Sequence, residues 1–312
     1  MNRRAKKTKP NLLILFLTKR CNSRCPHCFW VSKSSTFFHT SSDTDISLAE
    51  AKEIIDAYYK MGVRKIKLQS EGEVLLYDHL VELSEYCSKK GIRILGMATN
   101  GIKVDEYIDF ISNNVRHITV SLDGWNAKTY IEHRGGTEST FNKIIDNIKQ
   151  LVHTNKCRVY INSVIHNDNF DQSIYFVELA ESLGVSTIRF SNFHPISKDE
   201  KLKPVSLSNI KSMKNIFSER DNKVKITIPK TTPVKGPFYC SMLFKNALIG
   251  SQGNMSPCCR INTDSSWGKF SLDGDKHNSK TLQSFRKTFI KAKTLMDLPL
   301  NCRQCSRIKR KG

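Results

Sequence analysis

The 312-residue sequence has no apolar run approaching the length that a helix needs to cross a bilayer. Its start carries basic residues at 3–9 before an apolar run at 12–17, but six apolar residues are too few for a secretion signal. Lys19 and Arg20 also stand where such a signal has small residues. A reducing, cytoplasmic setting is therefore expected, which excludes a disulfide framework as the use of its ten cysteines. Internal repeats beyond a strand–helix unit and low-complexity segments are missing too. Acidic residues are scarce: 29 Asp and Glu face 50 Lys and Arg, a formal charge of +21, concentrated at 3–9 and 307–311. That excess suits an acidic or phosphorylated partner, or a basic solvated surface. The basic ends have no interleaved aromatics and the chain has no nucleic-acid-binding module, so nucleic acid is not the expected partner.

The cysteines fall into two sets. Cys21, Cys25 and Cys28 follow the apolar run at 12–17, with gaps of three and two residues. A [4Fe–4S] cubane that only carries electrons takes four thiolates, so a loop offering three leaves one iron open to another ligand. The alternative is zinc, with His27 completing a Cys3His set, although zinc loops usually split their ligands into two separated pairs. The second set is Cys240, Cys258, Cys302 and Cys305, with Cys259 as a neighbour. A structural zinc site of four cysteines is its alternative use. Cys87 and Cys157 are isolated among apolar positions and read as buried structural thiols.

Between these sets the hydrophobic period alternates. Strands are expected at 12–17, 64–69, 92–98, 117–122, 158–165 and 186–191. Helices are expected from a capping box at Ser47 and Glu50, and at 78–90, 104–112, 140–153 and 170–183. Such alternation implies right-handed βαβ units and a parallel sheet, either an open six-unit barrel or a doubly wound sheet. The barrel is favoured because the unusual clusters sit after strands, on the carboxyl face where barrel enzymes place their sites. They are Cys21–Cys28, Glu71-Gly72-Glu73, Thr99-Asn100-Gly101 and the Ser121–Gly124 segment. From Asn192 prolines break the pattern, leaving a helix at 207–217 and a strand at 224–228. A hairpin at 247–256 and a helix at 281–294 follow. The expected division is a core at 1–200, a linker at 201–235 and a small domain at 236–312. The polar stretch 29–45 reads as a mobile loop or a lid.

The spacing Cys21-x3-Cys25-x2-Cys28 at the end of a first strand resembles the cluster loop of the radical SAM enzymes. The resemblance implies an α/β fold, a partial (β/α)6 barrel, with S-adenosylmethionine (SAM) chelating the open iron and cleaved to a 5′-deoxyadenosyl radical. Glu71-Gly72-Glu73-Val74-Leu75-Leu76 is similar to the family's Gly-Gly-Glu-Pro-Leu-Leu, so Gly72 and Glu73 are the expected holders of the SAM ammonium. Glu71 and Val74 depart from that pattern. By the same resemblance Ser121 and Arg134 contact the SAM ribose and carboxylate, and His27 takes the place of an aromatic residue near the adenine. A guanidinium suits a carboxylate because it donates two parallel hydrogen bonds.

The second cysteine set resembles the twitch domain, the shortened form of the SPASM extension, which binds one auxiliary [4Fe–4S] cluster. Two clusters and SAM are thus the implied cofactors. The implied activity is an oxidation of a sugar-like or aminocyclitol-like alcohol, or of another small molecule, with the auxiliary cluster as electron acceptor. A peptide or protein maturase is the alternative within the enzymes. A non-catalytic metal protein binding nucleic acid is the alternative outside them. The expected partners are a small-molecule or peptide substrate, anionic if the surface charge serves it, and a reductant such as flavodoxin or ferredoxin.

Overall fold

The structure is a computed structural model that describes residues 8–28, 44–195, 201–229, 235–259, 261, 267–272, 277–303, 305 and 307–310. The expected loop at 29–45 lies mostly outside them, as does much of the basic amino terminus.

Strand and helix alternate as the periodicity implies: β1 (Leu12–Phe16), α1 (Leu48–Lys60), β2 (Lys65–Gln69), α2 (Leu80–Lys89), β3 (Arg93–Thr99) and α3 (Ile108–Asn114). Then come β4 (His117–Ser121), α4 (Ala127–Arg134), α5 (Glu138–His153), β5 (Arg158–Ile165), α6 (Ser173–Ser182) and β6 (Thr187–Asn192). The remainder is α7 (Leu207–Glu219), β7 (Lys225–Thr227), β8 (Phe238–Cys240), α8 (Ser241–Lys245), β9 (Asn246–Ile249), β10 (Met255–Ser256), α9 (Lys280–Lys291), α10 (Leu300–Arg303) and β11 (Ile308–Arg310). Among the described residues nine strands form one mostly parallel sheet in the order β10-β9-β1-β2-β3-β4-β5-β6-β7, and β8 pairs with β11 in a second sheet.

Two compact units share the chain: residues 1–19, 43–95 and 230–312 in one, 20–42 and 96–229 in the other. In the first unit α1 begins at Ser47, whose hydroxyl accepts the Glu50 N–H at 3.2 Å. The expected capping box is only half formed, because the Glu50 carboxylate lies against Gly253 instead of turning back to Ser47. Ala51, Ile54, Ile55 and Tyr58 form the buried stripe of α1, and Gly62 ends it with φ +95°. The outer edge of β1 is covered by β9, with Leu13 opposite Ala247 and Leu15 opposite Ile249. The expected hairpin is present, since β9 continues through a turn into β10. Its buried Ala247, Leu248 and Ile249 extend the sheet and leave no apolar strand edge at β1.

In the second unit β5 alternates between Val159, Ile161, Ser163 and Ile165, all buried, and the half-buried Tyr160, Asn162 and Val164. The apolar face of α5 packs Phe141, Ile144, Ile148 and Leu151 inward. Burying each such side chain stabilises the unit by about 1.5–3 kcal/mol. The expected helix at 104–112 is a 3-10 turn at Val104–Tyr107 followed by α3. Helix α4 was not evident from periodicity, because only Tyr130 of its eight residues is buried.

Candidate active site

The cysteine loop belongs to the second unit. Its backbone is closed by the Cys28 N–H donating to the Cys25 carbonyl at 3.1 Å. Arg24 Nη1 donates to the carbonyls of Cys21 at 2.7 Å and Ser23 at 3.0 Å. The turn after β3 braces this loop: Asn100 Nδ2 donates to Asn22 Oδ1 at 2.7 Å, while Asn100 Oδ1 accepts the Ile102 N–H at 3.0 Å. Thr99-Asn100-Gly101, expected at this strand end, thus supports the loop directly. Burial pushes the Cys25 thiol up to about 11, and the nearby Arg134 guanidinium works against that rise.

Arg134 is fixed by Asp123, whose Asp-Gly pair is in local sequence an ordinary turn. Asp123 is 1% exposed, accepts Arg134 Nη1 at 2.9 Å and lies 3.3 Å from His27 Nε2. Its other oxygen accepts the Val164 N–H at 2.7 Å. Burial alone would raise the Asp123 carboxyl, but Arg134, His27 and the Val164 N–H together hold it well below the usual carboxylate range. Burial would lower Arg134, and Asp123 outweighs it, so the guanidinium stays charged. Arg134 Nε is buried without a hydrogen-bond partner among the described residues. The sequence signal was present: an Asp-Gly pair ending a strand, with His133-Arg134 ten residues beyond. Gly124 is required there, since a Cβ would stand 2.1 Å from the Tyr130 backbone nitrogen. Asn126 and Thr129 then start α4 with reciprocal side-chain caps, and Gly135 ends it at φ +72°, which sets Arg134 on the last turn. His27 therefore engages a carboxylate, while Ser121 ends β4 half-buried, opposite Asn162 of β5.

Two more imidazoles, His133 and His166, lie in this unit, and only His166 has no sequence signal. His166 follows β5, is buried, and meets His133 edge-on with ring centroids 5.0 Å apart. The Asp168 N–H donates to His166 Nδ1 at 3.2 Å, which places the ring proton on Nε2. Burial, then the neighbouring His133, push His166 down to about 4.

Gly72 and Glu73 belong to the first unit. The Gly72 N–H donates to the Thr18 carbonyl at 3.2 Å, and buried Glu73 accepts the Leu75 N–H at 3.1 Å, capping the 3-10 turn Val74–Leu76. The C-terminal cysteines belong to this unit as well. Pairing of β8 with β11 sets Cys240 opposite Ile308, and the Cys305 N–H donates to the Cys302 carbonyl at 3.1 Å. Cys240 is pushed up chiefly by burial, with Cys305 adding to the rise. Arg307 is held above its ordinary value by Cys259 first, and also by Cys305, Cys258 and Cys240. One guanidinium is thus within electrostatic reach of thiols from three segments.

All ten cysteines are present as thiols. Among the described residues no three His, Cys, Asp or Glu side chains stand close enough to grip a single ion. Tetrahedral zinc holds its sulfurs about 2.3 Å away, whereas a cubane spreads its thiolates over four irons.

The sequence matches the Radical SAM superfamily model over residues 15–187. It is 32% identical over 162 residues to the GTP 3',8-cyclase of Synechocystis sp., covering 51% of this chain and 46% of that protein. It is 27% identical over 240 residues to the AdoMet-dependent heme synthase of Methanosarcina barkeri, covering 76% of this chain and 65% of that one. The chain thus spans about half and just under two thirds of these two relatives. Among solved structures, Streptococcus suis SuiB bound to S-adenosylmethionine superposes with a TM-score of 0.67 at 16% identity, over 89% of this chain and 66% of that one. Native anSMEcpe with bound AdoMet and a peptide gives 0.69 at 16% identity, over 95% of this chain and 88% of that one. These likenesses show the fold, and with the family match across more than half the sequence, strand-end cysteine loop included, the chain belongs to the radical SAM superfamily.

Proposed function

We propose that this radical SAM enzyme carries a second [4Fe–4S] cluster in a twitch-like domain at 236–312 and oxidises its substrate by two electrons. The observation that carries this reading is the pairing of β8 with β11, which sets Cys240 opposite Ile308, while the Ile308 N–H donates to the Cys305 carbonyl and the Cys305 N–H to the Cys302 carbonyl. A second cluster lends the ability to accept an electron from a substrate radical.

The residues of the chain supply the rest. Cys21, Cys25 and Cys28 hold the first cluster and leave one iron for SAM. Glu73, with the backbone of Gly72, takes the SAM ammonium, and Arg134, kept charged and aimed by Asp123, takes its carboxylate through hydrogen bonds. Ser121 serves the ribose. His27, held by Asp123, borders the adenine. The substrate is a polar small molecule, anionic in keeping with the +21 charge, and the alcohol of a sugar-like ring is the form we favour. Flavodoxin or ferredoxin is the class of reductant that fits.

Mass spectrometry of candidate alcohols, nucleotides and peptides tests this. Loss of two hydrogens matched one-to-one with 5′-deoxyadenosine is expected. A product of unchanged oxidation state would instead assign a cyclase-type rearrangement, and a modified peptide would assign a maturase.

A further inference from the structure

Glu71 departs from the family's glycine at the head of the SAM turn, and the structure gives it a partner at the far end of the sequence. Its carboxylate, 3% exposed, accepts a hydrogen bond from Ser251 Oγ at 2.7 Å. Ser251 is itself buried, in the turn that joins β9 to β10. That turn is fixed on both sides. The Gly253 N–H donates to the Gly250 carbonyl at 3.0 Å, and Gly253 has φ +74° with Glu50 Oε1 only 2.5 Å from where a Cβ would stand. The strand that leaves the turn, β10, runs into Cys258 two residues later.

Around Glu71 the backbone is equally constrained. Its neighbour Gly72 bonds to Thr18, and Glu73 caps the following turn. The Lys19 ammonium is near enough for the Glu71 charge to oppose the lowering that burial imposes on it. A carboxylate taken out of water costs several kcal/mol unless donors replace the lost hydration. A surface-facing turn would have avoided that cost with the family's glycine. Here the side chain is buried and met by a hydroxyl 180 residues away, an arrangement that yields a fixed turn.

We propose that Glu71 is a positioning residue for the SAM-binding turn, and that the Ser251 hydroxyl ties that turn to the hairpin leading to the auxiliary cysteines. This rests on the assignment of Gly72 and Glu73 to the SAM ammonium. With the hydroxyl removed, Gly72 and Glu73 keep their chemistry and lose their fixed placement, so SAM binds more weakly while the cysteines are untouched.

The test uses the full chain in two preparations. In the reconstituted holoenzyme, Ser251→Ala is expected to weaken SAM in equilibrium dialysis about tenfold, with iron content at the wild-type level and Tm lowered by only a few degrees. Glu71→Gln, which keeps an acceptor for the hydroxyl, is expected to stay within about threefold of wild type. In the protein as isolated, hydrogen exchange of a peptide covering 70–77 is expected to run about tenfold faster in Ser251→Ala. Wild-type SAM affinity and exchange in Ser251→Ala would overturn the proposal, as would a weakened affinity that appears only together with lost iron or with unfolding at the assay temperature. A wild-type protein that binds no SAM would overturn the function proposed above, and the exchange of 70–77 would then still decide whether Ser251 fixes the turn.

Discussion

The two cysteine sets are built by opposite means. Cys21, Cys25 and Cys28 come from one loop of eight residues, folded on itself by the Cys28–Cys25 backbone bond and braced by Asn100. The C-terminal thiols come from separated segments, drawn together by the pairing of β8 with β11 and by the turn at 302–305. Their cations differ in the same sense. Arg134 is tied to the buried carboxylate of Asp123, so its position is set before any ligand arrives. Arg307 instead interacts electrostatically with thiols from three segments, Cys259 first and then Cys305, Cys258 and Cys240. A site whose charge is balanced in advance is suited to taking up SAM repeatedly. On the function proposed above, the second site is the one that keeps its cluster permanently, with the guanidinium offsetting thiolate charge.

The sharpest way to break that comparison is to remove each set in turn. Replacing Cys21, Cys25 and Cys28 with alanine should abolish SAM cleavage while about half of the iron remains, measured by deoxyadenosine formation and iron analysis. Replacing Cys302 and Cys305 should do the reverse, leaving slow reductant-driven cleavage and ending product formation. If the second variant turns over fully, the C-terminal set is structural and the contrast collapses.

A smaller effect tests whether Arg134 is balanced beforehand. Arg134→Leu leaves Asp123 buried with only His27 and the Val164 N–H, and should destabilise the protein by about 3–5 kcal/mol in urea unfolding. Adding Asp123→Asn should recover much of that loss, because the stranded charge is gone. Full additivity of the two substitutions would show that the pair is not coupled.

Smaller still is a pH effect from His166, which stands beside His133, Asp168, His27 and Asp123. Its folded pKa of about 4 lies below the ordinary value of 6.5, so the unfolded chain takes up a proton first as pH falls. Stability should therefore decline between pH 6.5 and pH 4, by about 2–3 kcal/mol from this group. Urea midpoints of His166→Phe should show a flatter slope across that window, and an unchanged slope would remove His166 as its source.

Much of this was legible in the sequence, for reasons that differ by region. The cysteine loop, Thr99–Gly101 and the Glu73 turn are local, so spacing and strand ends locate them. The strands of the parallel sheet showed because their apolar residues are buried in continuous or alternating runs, as at β1 and β5. Asp123 was passed over because an Asp-Gly pair is an ordinary turn unless its burial is known, and α4 because a single buried residue leaves no helical period. The Glu71–Ser251 bond and the pairing of β9 with β1 join residues far apart in the chain, where local pattern carries no information.

The central claim is that two different cysteine sets each hold a cubane, and it is tested most directly by metal and sulfide analysis of the anaerobically reconstituted full chain. The account predicts two [4Fe–4S] clusters, about eight iron and eight sulfide per chain, falling to about four of each when Cys240, Cys258, Cys302 and Cys305 are replaced. Four iron in the wild type, or zinc bound and lost with the C-terminal cysteines, would contradict it.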